Sequence, residues 1–176
     1  RSLAVIVPSG KKARSLTDKP VYLTGYAESH NYDAANPLPD VTKTGFAESG
    51  PRALAMAGLR NEDVDQLQPY DDFTVALVLA VEDLGFCAKG EGPAFIAATD
   101  LLFSGKLPLN TGGGQISAGQ PGLAAGMIQP VEAIRQLRGE GGDRQIPGAR
   151  NALVTGIGYV NYLRNWNTSV AAVLEV

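Results

Sequence analysis

The chain has 176 residues, of which 44% are hydrophobic and 19% charged, and its formal net charge is −3 at pH 7. This composition is typical of one globular domain, and it contains no basic run that would predict binding to a nucleic acid or to a membrane. The longest apolar stretch, residues 75–81, is far shorter than the roughly 20 residues of a membrane span. We recognise no signal peptide. The single cysteine, Cys87, excludes a disulfide framework and a cysteine-based metal site. We therefore expect a cytoplasmic protein that binds no metal.

Residues 2–7 (SLAVIV) predict a strand at the very start of the chain. We interpret residues 1–8 as the terminal strand of a preceding domain, and residues 9–176 as the domain that this chain forms. The strand is then expected to dock at an edge of the sheet or to project toward the preceding domain, rather than to pair within the core.

The following stretch alternates helical and extended patterns. A helical turn at 11–16 precedes a strand at 21–28. The polar loop at 29–42 is long for a compact domain, so we expect it to form a functional surface. A helix that ends at Leu59 is also predicted, with Thr44 as its possible N-cap and Gly58 as the signal that stops it.

A short strand at 63–69 delivers the sequence Tyr70-Asp71-Asp72 to its C-terminal end. Asp71 or Asp72 can cap the helix that follows. That helix, at 73–84, is apolar on nearly every side, and such a helix is expected to be buried between layers.

The second half continues the same alternation with a helical piece at 94–103 and a strand-like stretch at 107–117 that glycines interrupt. Apolar residues then recur at spacings of three and four, including Val131 and Ile134, and predict an amphipathic helix at 119–138 that is central and buried. Pro130 is expected to kink it.

Two closing strands are predicted at 152–157 and 169–175. Alternation of strands and helices along the whole chain indicates a layered α/β domain with five main strands and helices on both faces. We expect a largely parallel sheet in which the last strand turns back antiparallel.

Residues 110–121 (NTGGGQISAGQP) carry the strongest local signal for a ligand site. A glycine-rich turn that runs into a helix N-terminus presents free N–H groups, which stabilise phosphates, carboxylates and developing oxyanions. Close packing of a helix on the sheet explains the same glycines without a ligand. No P-loop lysine follows and GxGxxG is absent, so a nucleotide site is disfavoured.

Tyr70 occupies the end of a predicted parallel strand, which is where ligands bind in open α/β sheets. Its hydroxyl could exchange a proton with a substrate oxygen. The alternative is a helix-capping aspartate beside a half-buried tyrosine.

Three further residues are candidates for the same rim. Thr155 and Tyr159 flank the glycines of residues 155–159 (TGIGY), which a simple β-turn also explains. His30, the only histidine, is either a catalytic base or a solvated loop residue. Cys87 follows a predicted buried helix, where a thiol is more often inert, so we do not assign it a role.

Read together, these stretches resemble the C-terminal half of the thiolase superfamily, of the sterol-carrier and lipid-transfer-protein type. Residues 70–73 (YDDF) resemble the family segment Asn-Glu-Ala-Phe, residues 110–121 its glycine-rich segment ending in Gly-His-Pro, and residues 136–149 the sterol-carrier-type sequence. The resemblance implies a thiolase-like layered α/β fold with a five-stranded mixed sheet, and an active site shared between two similar halves. Residues 1–8 would then end the N-terminal half, which would carry the nucleophilic cysteine.

Two departures from the family pattern affect the chemistry. Tyr70 stands at the asparagine of Asn-Glu-Ala-Phe, and Gln120 at the histidine of Gly-His-Pro. Gln120 can donate a hydrogen bond to an oxyanion but cannot carry a proton. In having a tyrosine at position 70, the chain resembles the thiolase-like aldolases, which cleave a β-hydroxyacyl-CoA by retro-aldol chemistry. The resemblance thus assigns catalysis to Tyr70, Gln120 and Tyr159.

We assign substrate contacts to the remaining candidates, which are Asn110, Gly113, Gly114, Thr155 and His30. No bound cofactor is expected, because coenzyme A enters as part of the acyl-CoA substrate. The thiolase-like aldolases that the chain resembles work with a small partner protein of the OB-fold type. The resemblance therefore implies a homo- or hetero-oligomer. Thiolysis of a β-ketoacyl-CoA and a non-catalytic acyl-CoA or lipid-binding scaffold are the alternatives.

Overall fold

The computed structural model describes residues 2–30, 40–158, 160–161 and 165–176. The helices in these ranges are α1 (Gly10–Leu16), α2 (Phe46–Ala57), α3 (Thr74–Asp83), α4 (Gly92–Ala98), α5 (Gly114–Ala118) and α6 (Ile128–Arg138). The strands are β1 (Tyr22–His30), β2 (Leu67–Gln68), β3 (Asn151–Ile157), β4 (Val160–Asn161), β5 (Asn165–Trp166) and β6 (Thr168–Glu175). Short 3₁₀ helices lie at Asn61–Asp63, Gly122–Met127 and Gly142–Arg144.

Four of the strands form one mixed sheet in the order β1-β6-β3-β2. Strand β6 runs antiparallel to both of its neighbours, and β2 is parallel to β3. A parallel bridge between Leu67 and Leu109 extends the sheet beyond β2, where a fifth strand was predicted. The α/β class and the mixed sheet are confirmed. The expectation of a largely parallel sheet is wrong, because the two long ladders are both antiparallel.

Side chains of β3 point alternately to the two faces of the sheet and so join two separate cores. Leu153 belongs to the cluster that contains Phe46 of α2. The next residue, Val154, belongs to the cluster that contains Leu137 of α6. Helices therefore pack on both faces, as predicted.

The predicted helix at 119–138 is divided in the structure. A 3₁₀ helix at Gly122–Met127 precedes α6, which begins at Ile128. Pro130 lies in the first turn of α6, where the N–H that proline lacks has no partner within the helix. The missing N–H of Pro130 therefore costs α6 no internal hydrogen bond, and the expected kink stays a prediction.

The apolar helix α3 lies at the surface with one face on the core. Ala80 and Val81 are fully buried, whereas Val75 is 59% exposed. The expectation of burial on nearly every side is wrong for the start of α3, where Val75 is exposed, whereas α2 and α4 both contact the helix. In the described ranges, no helix is long and apolar enough to cross a membrane.

The segment before α1 forms no strand in this structure. Residues 2–9 have no helical or extended assignment, and Ile6 is 88% exposed. The predicted strand at 2–7 is therefore wrong here, since no described strand pairs with it. The assignment of residues 1–8 to a preceding domain stays a prediction. Most of the predicted functional loop, residues 31–39, lies outside the described residues.

Candidate active site

Tyr70 lies just beyond β2, at the edge where the parallel strands end. Its backbone N–H donates to Thr155 Oγ1 on β3 across 3.0 Å. The two strands pair directly, with Gln68 opposite Val154, so their C-terminal ends meet. The parallel pairing thus brings two predicted site residues, Tyr70 and Thr155, into contact.

The side chain of Gln120 reaches Tyr70 from the end of α5. Its amide Nε2 donates to the Tyr70 hydroxyl oxygen across 3.4 Å, near the upper limit for a hydrogen bond. A φ of 95° at Gly119 ends α5 directly before Gln120. Tyr70 and Gln120 are therefore on one face, as expected, and their catalytic roles stay predictions.

Asp71 caps a different helix from the one that the sequence suggested. Its Oδ1 accepts the backbone N–H of Gln115 in the first turn of α5 across 2.8 Å, and Nε2 of buried Gln129 across 3.0 Å. Burial raises the pKa of Asp71, although hydrogen bonds such as that from Gln115 oppose the rise. The expectation that an aspartate caps α3 is wrong, because α3 begins after Phe73 without a side-chain cap.

Asn110 anchors the glycine-rich turn, residues 110–114, to the end of β2. Its side-chain Nδ2 donates to the carbonyl oxygen of Pro69 across 3.0 Å, directly before Tyr70. Asn110 has a φ of 44°, in the left-handed region that asparagine tolerates. The Gly113 N–H donates to the Asn110 carbonyl across 2.8 Å and is thus engaged inside the turn. Substrate contacts by Asn110, Gly113 and Gly114 stay predictions.

His30 lies at the same end of the sheet but on a distant strand. It is the last residue of β1, three strands from β2, which is about 14 Å at the usual interstrand spacing. Its ring contacts Thr168 Oγ1 at 3.2 Å and Glu28 Oε1 at 3.1 Å. The structure therefore does not bring His30 to Tyr70, and its substrate contact stays a prediction. Tyr159 lies outside the described residues.

The sequence did not predict the polar residues on the buried face of α6. Its apolar spacing placed Val131 and Ile134 on that face, but both line a cavity of 610 Å³ beside α1. The buried side of α6 carries polar residues, which are Gln129, Glu132 and Gln136. Their spacings of three and four residues place them on one face of the helix, which was the signal available in the sequence. Polar residues are buried when they have hydrogen-bond partners, and those partners are not visible in the local sequence.

Two cavities of 610 and 340 Å³ lie away from Tyr70, the larger beside α1 and α6 and the smaller beside α4. The concavity predicted around Tyr70, Asn110, Gln120 and Tyr159 stays a prediction.

Among the described side chains, no cluster of three or more His, Cys, Asp and Glu could hold a metal ion.

Known proteins resemble the chain over most of its length. Residues 27–174 match the family described as Thiolase C-terminal domain-like. The acetyl-CoA acetyltransferase of Methanothermobacter thermautotrophicus is 37% identical over 156 residues, which cover 88% of this chain and 41% of that protein. Sterol carrier protein 2 of Oryctolagus cuniculus is 40% identical over 111 residues, which cover 63% of this chain and 20% of that protein.

A solved structure, the Ltp2-ChsH2(DUF35) aldolase, superposes with a TM-score of 0.79 at 30% sequence identity. The match covers 95% of this chain and 42% of that one. The chain thus spans less than half the length of the relatives that it matches. These similarities confirm the resemblance that the motifs indicated.

Proposed function

The chain belongs to the thiolase C-terminal domain-like family, and we propose that it supplies the C-terminal half of an enzyme that cleaves a β-hydroxyacyl-CoA by retro-aldol chemistry. The contact of 3.4 Å between Gln120 Nε2 and the Tyr70 hydroxyl carries this proposal. By the resemblance, these two residues replace the asparagine and histidine that polarise a thioester oxygen in thiolases. A phenol and an amide suit removal of an alcohol proton and stabilisation of an oxyanion.

The proposed reaction needs a base and an oxyanion donor. Tyr70 acts as the general base and takes the proton of the β-hydroxyl. The Cα–Cβ bond then breaks, the former alcohol becomes a carbonyl, and the electron pair passes to the thioester as an enolate. Gln120 donates to the enolate oxygen, where charge develops. The Tyr70 hydroxyl then returns the proton to Cα, which releases the shorter acyl-CoA and regenerates the base, and Tyr159 shares the proton transfers.

Asn110 and Thr155 support this placement, because Asn110 donates to the Pro69 carbonyl oxygen and Thr155 accepts the Tyr70 N–H. We place the thioester beside them and beside the turn that contains Gly113 and Gly114. Coenzyme A is part of the substrate in this scheme, and no other cofactor is required. His30, on the far strand, would contact a more distant part of the acyl-CoA.

We propose that the active assembly contains the N-terminal thiolase half and a second protein of the OB-fold type. The exposed apolar residues at the start of α3, Phe73 and Val75, support a neighbour on that surface. The resemblance to the Ltp2-ChsH2(DUF35) aldolase supports a second component.

Thiolytic acyl transfer is the second candidate, favoured by 37% identity to an acetyl-CoA acetyltransferase. It requires a nucleophilic cysteine. Burial raises the pKa of Cys87, and Glu82 adds to the rise, so this thiol is a poor nucleophile. The N-terminal half would have to supply the cysteine.

A lipid-binding scaffold is the third candidate, favoured by the similarity to sterol carrier protein 2.

The test uses the full-length protein with its partner. One assay follows release of the carbonyl product from β-hydroxyacyl-CoA substrates of different acyl size, and a second follows CoA-dependent loss of β-ketoacyl-CoA. Carbonyl release without thiolysis is the expected result. Robust thiolysis would replace the proposal with the thiolase function, and acyl-CoA binding without either reaction would replace it with the scaffold.

A further inference from the structure

Polar side chains of α6 support the glycine-rich turn from inside the domain. Thr111 Oγ1 donates to Glu132 Oε1 across 2.8 Å, and it accepts from Gln68 Nε2 across 3.2 Å and from Gln136 Nε2 across 3.3 Å. A hydroxyl has one proton and two lone pairs, so these three bonds use its full capacity. Thr111 is thus fixed by β2 and α6 together.

Arg144 joins the same group of side chains from the loop after α6. Its Nη1 lies 3.1 Å from Glu132 Oε1 and also donates to the carbonyl oxygen of Thr111. Gln136 holds this loop, because its Nε2 donates to the Arg144 carbonyl across 2.9 Å and its Oε1 accepts the Ile146 N–H across 2.8 Å. The segment 136–149, which the sequence linked only to a family pattern, therefore folds back to bind the turn.

The Glu132 carboxylate lies directly against the turn. Glu132 is 7% exposed, and a buried carboxylate is tolerated only with donors around it. Gly112 leaves no space, since a Cβ there would lie 2.8 Å from Glu132 Oε2. A shift of this carboxylate would therefore move the turn.

The turn connects this group to the candidate active site. Asn110 directly precedes Thr111, and its Nδ2 holds the Pro69 carbonyl at 3.0 Å. Pro69 directly precedes Tyr70. The path from Arg144 and Glu132 to Tyr70 thus runs through two hydrogen bonds and short lengths of backbone.

We infer that Glu132 and Arg144 are positioning residues that act through Thr111 to hold Asn110, and with it the backbone of Tyr70, in place for the reaction. The inference rests on the proposed function for its kinetic readout. Misplacement of a reacting group by about 1 Å can lower a rate by roughly 100-fold, so the effect is measurable even though neither residue touches the substrate.

The first test compares Thr111→Val with Thr111→Ser in the full-length protein. Valine keeps the shape and removes the hydroxyl, so we expect kcat per folded molecule to fall about 10- to 100-fold with little change in KM. Serine keeps the hydroxyl and should restore most of the rate. A purely structural role would lower the folded fraction and leave kcat per folded molecule unchanged, and that result would overturn the inference. So would a serine variant as slow as the valine variant.

Arg144→Gln provides the second variant, with exposed Arg150→Gln as its matched control. We expect a loss of kcat only at position 144. The combined loss for Thr111→Val with Arg144→Gln should be smaller than the product of the two single losses, because Arg144 acts through Thr111. Equal losses at positions 144 and 150, or multiplying losses in the double variant, would contradict the proposed coupling.

Hydrogen exchange separates this inference from the proposed function. If the wild type catalyses neither cleavage nor thiolysis, the proposed function is wrong, and the exchange of residues 110–117 still decides the positioning role. Thr111→Val should speed exchange there, where Gly113 and Gln115 donate to Asn110 O and Asp71 Oδ1. Exchange in β3 should not change. Unchanged exchange at 110–117 would overturn the inference.

Discussion

Gly114 lies directly against the Asp71 carboxylate, so closely that a Cβ at position 114 would overlap Asp71 Oδ2. The same carboxylate accepts the N–H of the next residue, Gln115. The start of α5 and the residue after Tyr70 therefore form one unit, and the absence of a side chain at position 114 is what permits it.

Gly114→Ala should destabilise the protein more than Gly122→Ala. Both glycines have a φ of 57°, so both variants carry the left-handed strain of about 1–2 kcal/mol, but in the described part of the chain no heavy atom lies within 4 Å of a Cβ at Gly122. The overlap with Asp71 should add about 1–3 kcal/mol at position 114. Urea unfolding measures both values, and equal free energies of unfolding for the two variants would contradict the packing described here.

Asp71→Asn should change how stability depends on pH. Burial raises the folded-state pKa of Asp71 above its ordinary value of 3.8, so the folded protein binds this proton more tightly than the unfolded chain. The resulting stabilisation is complete below 3.8 and is lost as the pH rises through the folded-state pKa. The free energy of unfolding of the wild type, relative to Asp71→Asn, should therefore fall as the pH rises from below 3.8 through the folded-state pKa of Asp71.

Urea midpoints across this pH range provide the measurement. Asp143→Asn is the control, because Asp143 is exposed in a 3₁₀ helix far along the chain. A wild type that gains stability over Asp71→Asn as the pH rises would show that the donors at Asp71 outweigh its burial.

Tyr70→Phe should suppress cleavage of a β-hydroxyacyl-CoA and leave the fold intact, because only a hydroxyl is removed. Loss of a general base lowers a rate by roughly 10²- to 10⁴-fold. Tyr26→Phe is the matched control, since Tyr26 also loses one hydrogen bond, to Glu28 Oε2 at 2.9 Å, on the edge strand β1. Steady-state kinetics on both variants would refute a catalytic Tyr70 if their rates were equal.

Gln120→Glu should lower the cleavage rate about as much as Gln120→Ala. Glutamate keeps the length of the side chain but has no N–H to donate to an enolate oxygen, and one such donor is worth roughly 10²- to 10³-fold in kcat. Both variants should still bind acyl-CoA, which isothermal titration can check. A near-normal rate in Gln120→Glu would mean that the side chain fills space and does not stabilise charge.

Several features followed from the chain alone. Runs of β-forming residues bounded by glycine and polar residues located the strands that became β1, β3 and β6. Tyr70 and Thr155 could be grouped because parallel strands end at one edge. The glycine-rich stretch, and its place beside Tyr70, followed from the family motifs.

Other features were decided by tertiary structure. The sequence assigned Asp71 to the next helix, but its partners are Gln115 and Gln129, which lie 44 and 58 residues away. It also predicted an apolar buried face for α6. That face does carry Ala133 and Leu137, which pack on the sheet, but it also carries the buried polar residues Gln129, Glu132 and Gln136. Local patterns measure the average tendency of a residue to be buried. Whether a buried polar group is stable depends on partners far along the chain, and only the folded chain brings those partners within hydrogen-bonding distance.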